Sequence, residues 1–550
     1  MNITTKYTDI LVIGSGIAGL RAAVAAAEKG VSATIVSKGP CASPEIMGFN
    51  APVLPGDSKE LYYEDLEISG YGINDSSLAR LLSDKVIDEV AWLEGIGVHF
   101  DRREDGCYSP IHTLGTRFPR LIRSGVSSGV TEMKALQGRC TELGIELHSP
   151  VDILELLHVN GRVIGAFGVD GKTGGAVRYI AKAVVLATGG CGAMQSFTTY
   201  PHAIIGDGYA MAYNAGARLM DMEFQQFEPC AFIYPPEISG KVIATTLLRH
   251  GARLLNGELH DFMPDYGLTR DSAQKGSLSR AMDAEVRAGR GTPHGGIYYD
   301  MTMFDEDFLY KDHAIFTRPA VAVGMDLTKE MPEMMPACHT NLGGVVIDNS
   351  CRTDVDGLFA CGEVVGGLHG GNRVGGCAGA ETVVFGHVAG DNAADFVLAG
   401  ARYPDETEIA TAWSAPSEKL EGLLERRAAV DAGEIRRELA ACLNEDLGVR
   451  RNADTIAAAD RTVAELSDEL VSRGGAEDLK QAAEYIHCEH VLLLARMQVT
   501  AAEMRRESRG VFFREDYPET DDLNWRRNIM IGCSDGGMEF TVRDVVKDRA

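Results

Sequence analysis

Asp9-Ile10-Leu11-Val12-Ile13-Gly14-Ser15-Gly16-Ile17-Ala18-Gly19 decides the fold, because an apolar run passes straight into G-x-G-x-x-G and then into an alanine-rich helical segment, Leu20 to Lys29. Each glycine has a physical reason. Gly14 permits a tight turn, Gly16 lets the backbone approach a pyrophosphate, and Gly19 lets helix and strand pack closely. The helix start offers free N–H groups and the positive end of its dipole to phosphates. A second apolar run, Ala33-Thr34-Ile35-Val36, follows at the spacing of a βαβ unit. The motif in this context predicts a dinucleotide-binding domain.

Outward from this point, 550 residues suffice for about three or four domains with a large core. The net charge of −26 argues against a nucleic-acid or anionic-membrane surface and is read as a solvated acidic exterior. The N-terminus shows no charged segment leading into an apolar one, and no apolar run is long enough to span a bilayer. The twelve cysteines are scattered without C-x-x-C spacing or a Cys/His cluster, so they read as cytosolic thiols and not as a metal or iron–sulfur site. A cytoplasmic chain is expected, membrane-associated only through partners.

Strand-like runs alternate with glycine turns and helices up to 228, including Arg162-Val163-Ile164-Gly165-Ala166-Phe167 and Ala183-Val184-Val185-Leu186-Ala187. Residues 229–338 are richer in Pro, Met and Tyr and break this rhythm, which predicts an inserted domain. The α/β pattern returns over 339–400, with Gly357-Leu358-Phe359-Ala360-Cys361-Gly362-Glu363 and a small-residue helix from about Gly379 to Leu398. Residues 401–510 carry helical periodicity, and 511–550 read as a tail of loop and short strand. The class is α/β: a Rossmann-like dinucleotide-binding domain in two parts, interrupted by an α+β capping domain and followed by a helical domain.

Several separate motifs now point one way. They are Gly14 to Gly19, Ser37-Lys38-Gly39-Pro40, Ala187-Thr188-Gly189-Gly190, Gly206-Asp207-Gly208 and Asp221-Met222-Glu223-Phe224-Gln225-Gln226-Phe227. Further along stand Gly357 to Glu363, His369-Gly370-Gly371-Asn372-Arg373-Val374-Gly375, Glu507-Ser508-Arg509-Gly510 and Arg514-Glu515-Asp516-Tyr517-Pro518-Glu519. In this order they resemble the flavoprotein subunits of succinate dehydrogenase and fumarate reductase, with L-aspartate oxidase as a close cousin. The resemblance implies FAD, a capping domain inserted into the flavin domain, and hydride exchange between flavin N5 and a C–C or C–N bond beside a carboxylate. It also implies FAD contacts from Gly14, Ser15, Gly16, Ile17, Ala18, Gly19, Ser37, Lys38, Gly48, Asn50, Ala187, Thr188, Gly189, Gly190, Asp207, Glu363, Ala378 and Gly379. Ser37-Lys38 occupies the place where many dinucleotide folds put a ribose-binding carboxylate. Covalent members of the family carry a histidine shortly after the second strand. This chain reads Cys41-Ala42-Ser43-Pro44-Glu45-Ile46-Met47-Gly48-Phe49-Asn50, without one, so non-covalent FAD is expected.

For the substrate, Arg373 matches the family arginine that forks onto a carboxylate, and His339 a second carboxylate-binding residue; His369 belongs to the same loop as Arg373. Then the pattern breaks. The family's Gln-Phe-His-Pro-Thr reads Gln226-Phe227-Glu228-Pro229-Cys230, and Thr-Glu-Gly-x-Arg reads Thr245-Thr246-Leu247-Leu248-Arg249, without the proton-relay glutamate. An ungapped match to Ser279-Arg280-Ala281-Met282 puts Lys275 in the place of the proton-donating arginine; a longer preceding loop would put Arg270 there. A late family histidine is replaced by Phe512. Glu228 near a substrate carboxylate is repulsive, so either it is protonated or turned away or the substrate offers a cation or hydrogen-bond donor there; the lost carboxylate anchor and proton relay point to a different substrate, a monocarboxylate or a larger unsaturated acid. The leading reading is the catalytic subunit of a complex, with an iron–sulfur partner carrying electrons and a small carboxylic acid as substrate. The alternative is a stand-alone oxidase resembling L-aspartate oxidase.

Overall fold

The computed structural model describes residues 3–547 except 114, 115, 126, 244, 272, 427, 535 and 536. Strand β1 (Ile3–Ile13) leads through the glycine turn into helix α1 (Ile17–Glu28) and back to β2 (Ala33–Val36). These begin a seven-stranded sheet. Glu146–His148, β2, β1 and Ala176–Leu186 lie side by side in parallel, and Leu358–Ala360 extends the parallel part. Arg162–Asp170 and Val151–Val159 continue the sheet antiparallel beyond Ala176–Leu186. The run Val184-Val185-Leu186 is fully buried, as expected where helices cover both faces.

The helix Cys377–Leu398 packs along α1, and its small residues explain how closely. A Cβ on Gly390 would stand 2.0 Å from the Ala22 carbonyl oxygen, and one on Gly386 would stand 2.6 Å from that of Ala18. Substituting either would force the two helices apart at the base of the dinucleotide turn.

A second, four-stranded antiparallel sheet forms the cap, in the order Gln225–Tyr234, Glu333–Asn341, Ile297–Asp300, Arg253–Leu255. It has its own apolar core, including Phe232, Leu254, Phe262, Met282, Ile297 and Tyr299. The expected breaks at 228/229 and 338/339 fall inside the two strands that connect cap and flavin domain. Because those strands pair, Glu228 faces Ala337 across the ladder and shares a face with His339.

Four helices follow: Glu406–Glu425, Ala432–Asp446, Ala453–Arg473 and Leu479–Met504. Each starts at a side chain that accepts a backbone N–H: Asp405, Asp431, Asn452 and Asp478. The tail is more regular than the expected loop and short strand. Arg527–Ser534 and Gly537–Asp544 form a hairpin that adds to Leu219–Met220 in a third sheet. The outer strand alternates Met538, Phe540 and Val542 with Glu539, Thr541 and Arg543, and Met538 and Phe540 pack against the core. Among the described residues no helix is long and apolar enough to cross a membrane.

Candidate active site

A cavity of about 730 Å³ runs from the glycine turn to the cap. At one end it is lined by Gly14, Ser15, Gly16, Ile17, Ala18, Ser37, Lys38, Gly48, Ala187, Thr188, Gly189, Asp207, Glu363, Ala378 and Gly379. Gly14 has φ +119°, and a Cβ there would stand 2.1 Å from the Ala187 carbonyl oxygen, so only glycine makes this turn. Gly16 brings no capping side chain to α1; Ser43 Oγ accepts the Ile17 N–H at 3.0 Å, and the rest of the first turn is left for an anion. The Thr188 hydroxyl is buried without a partner among the described residues. Three of the expected contacts stand behind the wall. A Cβ on Gly19 would meet the Gly14 carbonyl, Gly190 abuts the Glu363 carboxylate, and Asn50 donates to the Gly375 carbonyl at 2.7 Å.

Behind Asp207 stand two histidines that the sequence reading missed. Asp207 pairs with Lys38 and also accepts from His487 Nδ1 at 2.8 Å, with His490 Nδ1 at 3.4 Å. The Nε2 of His487 reaches Asp152 at 2.7 Å. Burial opposes charge on Asp207, yet His487 and Lys38 hold its carboxyl well below the usual range. Burial likewise works against the His487 imidazolium, but Asp207 and Asp152 push it up to about 10. The available signal was two histidines three apart on one helix, which places them on a common face. Glu363 accepts from Tyr200 and from the Asn341 N–H at 3.0 Å, and burial pushes it up to about 7.

At the other end, Arg373, His339, Lys275 and Glu228 line the same cavity. Arg373 is 5% exposed. Its Nη1 meets only the neighbouring Val374 carbonyl at 3.3 Å, its Nε has no partner, and among the described residues no carboxylate forms a salt bridge with it. Gln226 anchors its loop, donating to Asn372 Oδ1 at 2.8 Å and to the Arg373 carbonyl at 3.0 Å. Lys275 opens the helix Lys275–Glu285, where the dipole disfavours a cation. Its Nζ pairs with Glu228 Oε2 at 2.5 Å. Burial, and then Arg373, lower the Lys275 ammonium against the pull of Glu228. Burial, Lys275 and Arg373 hold His339 well below an ordinary imidazole, so it is neutral, with Nδ1 2.9 Å from Thr199 Oγ1. Where the family has its relay glutamate stands Thr246, a residue of the cavity lining whose buried hydroxyl has no partner among the described residues.

Two of the expected residues lie elsewhere. Arg270 does not line the cavity; it pairs with Asp261 and donates to the Ala252 carbonyl at 3.1 Å in a shallow pocket of the cap. Those partners correct its reading as a pocket residue and alternative proton donor. His369 is buried behind the wall, bonded through Nε2 to Glu381 at 2.9 Å, and so supports the loop without reaching the cavity. Phe512 packs on Phe224 with ring centroids 5.6 Å apart, an apolar contact in the place of the family histidine.

Comparison with known proteins agrees with this geometry. The FAD binding domain pattern matches residues 9–378, and the fumarate reductase flavoprotein C-terminal pattern matches 436–550. The chain belongs to the succinate dehydrogenase and fumarate reductase flavoprotein family. One of the subunits of the CoM/CoB fumarate reductase of Methanothermobacter marburgensis is 34% identical, over 95% of this chain and 96% of that one. The L-aspartate oxidase of Vibrio cholerae is 29% identical, over 93% and 96%. In structure, a chain of E. coli quinol fumarate reductase superposes with a TM-score of 0.92 at 27% identity, covering 100% of this chain and 98% of that one. As a member of the family, the chain is an FAD-dependent oxidoreductase. The glycine turn, the open part of the first turn of α1 and the Thr188 hydroxyl fit that cofactor.

Proposed function

We propose that this chain is the catalytic flavoprotein of a complex that exchanges hydride with the bond beside a carboxylate in a small unsaturated or saturated acid. The observation that carries the reading is Arg373, a buried guanidinium without a carboxylate partner among the described residues, in the same cavity as the FAD cradle. A desolvated, unpaired cation is costly unless an anion joins it, and a guanidinium matches a carboxylate in two parallel hydrogen bonds.

FAD, when bound, supplies hydride transfer to or from carbon. The chain does the rest. Arg373 grips the carboxylate and fixes the adjacent carbons in place. Lys275 holds a proton on Nζ inside the cavity, and its lowered affinity for that proton suits a general acid. Glu228 holds the ammonium in position, and neutral His339 adds a hydrogen bond without adding charge. FAD is held without a covalent bond: burial raises the Cys41 thiol, which disfavours the thiolate that a thioether would need.

The chain presents no cysteine cluster among the described residues. In this reading electrons come through a separate iron–sulfur protein, which the relation to fumarate reductase flavoproteins supports. The test is anaerobic mixing of the chemically reduced, FAD-loaded protein with unsaturated carboxylic acids in a stopped-flow cell. Return of the oxidised flavin band supports the reading. Rapid peroxide formation in air, with no response to those acids, replaces it with the L-aspartate oxidase-like alternative.

A further inference from the structure

We infer that the substrate is a monocarboxylate, a 2-enoate or its saturated counterpart with an apolar substituent; this rests on the function proposed above and deepens it. The argument is a count of charge. Four ionisable side chains line the end of the cavity under the cap, Arg373, Lys275, Glu228 and His339; Glu363 and Glu381, which also line it, are already bonded, to Tyr200 and the Asn341 N–H and to His369. Glu228 and Lys275 compensate each other at 2.5 Å, and His339 is neutral. One cation is left, Arg373, and it matches one carboxylate.

A second carboxylate has no seat. To reach Lys275 it would share the ammonium with Glu228, which is fixed in the buried strand Gln225–Tyr234 and cannot swing into water. Two carboxylates about 4 Å apart in a partly dry site repel by roughly a thousandfold in affinity. Lys275 offsets part of this, leaving discrimination of at least about tenfold.

The rest of the cap's wall agrees with the count. Ile238, Val242, Ile315, Phe316 and Pro319 line the cavity, and the Thr246 hydroxyl stands in the place of the relay glutamate. The remaining charges that the cap brings to the lining are Lys241, already paired with Glu45 at 2.7 Å, and Arg318, which is exposed. An exposed guanidinium is hydrated and screened, and adds little to affinity. The wall thus fits an alkyl or aryl group better than a second anion.

The reaction balances with reduced FAD as hydride donor. The β-carbon of the 2-enoate gains hydride, the α-carbon gains the proton from Lys275 Nζ, the C=C bond becomes C–C, and the flavin is oxidised. Lys275, left as an amine beside Glu228, regains its proton from solvent.

The experiment uses the FAD-loaded chain and has two readouts. Calorimetric titration compares butyrate and 3-phenylpropanoate with succinate, and anaerobic reoxidation compares crotonate and cinnamate with fumarate. The expected result is at least tenfold tighter binding of a monocarboxylate than of succinate. Glu228→Gln should cut that ratio at least tenfold, because it frees the charge of Lys275 for a second carboxylate. Succinate binding as tightly as both monocarboxylates overturns the inference, as does faster reoxidation by fumarate than by either mono-acid; the proposed function then stands. Reoxidation by none of the three acids overturns the proposed function itself. If Glu228→Gln fails to hold FAD, the wild-type ratio decides alone.

Discussion

Replacing His487 by Ala should loosen the helix Leu479–Met504 from the flavin domain in a pH-dependent way. His487 lies between Asp207 at 2.8 Å and Asp152 at 2.7 Å, and these two hold its imidazolium up to about 10, against burial. An imidazole free in the unfolded chain titrates near about 6.5. The difference corresponds to on the order of 5 kcal/mol, in line with the roughly 3–5 kcal/mol lost when one member of a buried ion pair is removed. The sign follows from the raised value. The stabilisation is complete below about pH 6.5, fades by about 1.4 kcal/mol per pH unit above it, and is gone above about pH 10. Amide hydrogen exchange in the helix reads its opening free energy directly. At pH 6.5 the variant's slowest amides should exchange at least about a hundredfold faster than the wild type's; at pH 8.5 that ratio should be about a hundredfold smaller. His487→Asn, which can hydrogen-bond but not titrate, should show a ratio that falls in the same way as pH rises. An alanine variant whose ratio to wild type is the same at both pH values would refute the ion-pair account and leave His487 as packing alone.

Two further outcomes follow from the cavity. Lys275→Met should retain FAD but lower single-turnover reoxidation by about 10²–10⁴-fold, the usual range for a lost general acid, with Lys275→Arg recovering part of it. The wild-type rate should also fall with rising pH at a value below that of an ordinary lysine, since burial lowers the ammonium; stopped-flow rates across pH check both. Denaturing the holoprotein should release all of its flavin into the supernatant, as measured by absorbance, and flavin remaining with the precipitate would point to a covalent bond at Cys41.

Much of the fold was legible because its decisive elements are local. The Gly14–Gly19 turn, the apolar strands and the capped helices each announce themselves within a few residues. What stayed hidden depends on long-range pairing. The hairpin at 527–544 joins its sheet through Leu219–Met220, about three hundred residues earlier, and the entry to the cap lies inside strands whose partner is about a hundred residues away in sequence. At the site, the pattern of motifs identified Arg373, His339, Glu228 and Lys275 as candidates, and the structure brings all four to one cavity. It did not reveal that Glu228 pairs with Lys275, a contact between residues on a strand and a distant helix start. Nor did it separate Lys275 from Arg270, because the length of a loop decides which of them enters the cavity, and loop geometry is not written in periodicity. The His487 and His490 clasp was missed for a similar reason: two histidines on a helix carry no chemistry until Asp207 is placed beneath them.

The most direct test of the central claim is a comparison of the wild type with Arg373→Met, both FAD-loaded and chemically reduced, mixed anaerobically with crotonate, cinnamate or fumarate. Loss of a buried charged hydrogen-bonding partner costs about 2–5 kcal/mol, so the variant should reoxidise at least about thirtyfold more slowly with whichever acid the wild type prefers, at unchanged flavin content. Equal rates for the two proteins would mean that Arg373 does not hold the substrate, and that the reacting acid binds somewhere other than this cavity.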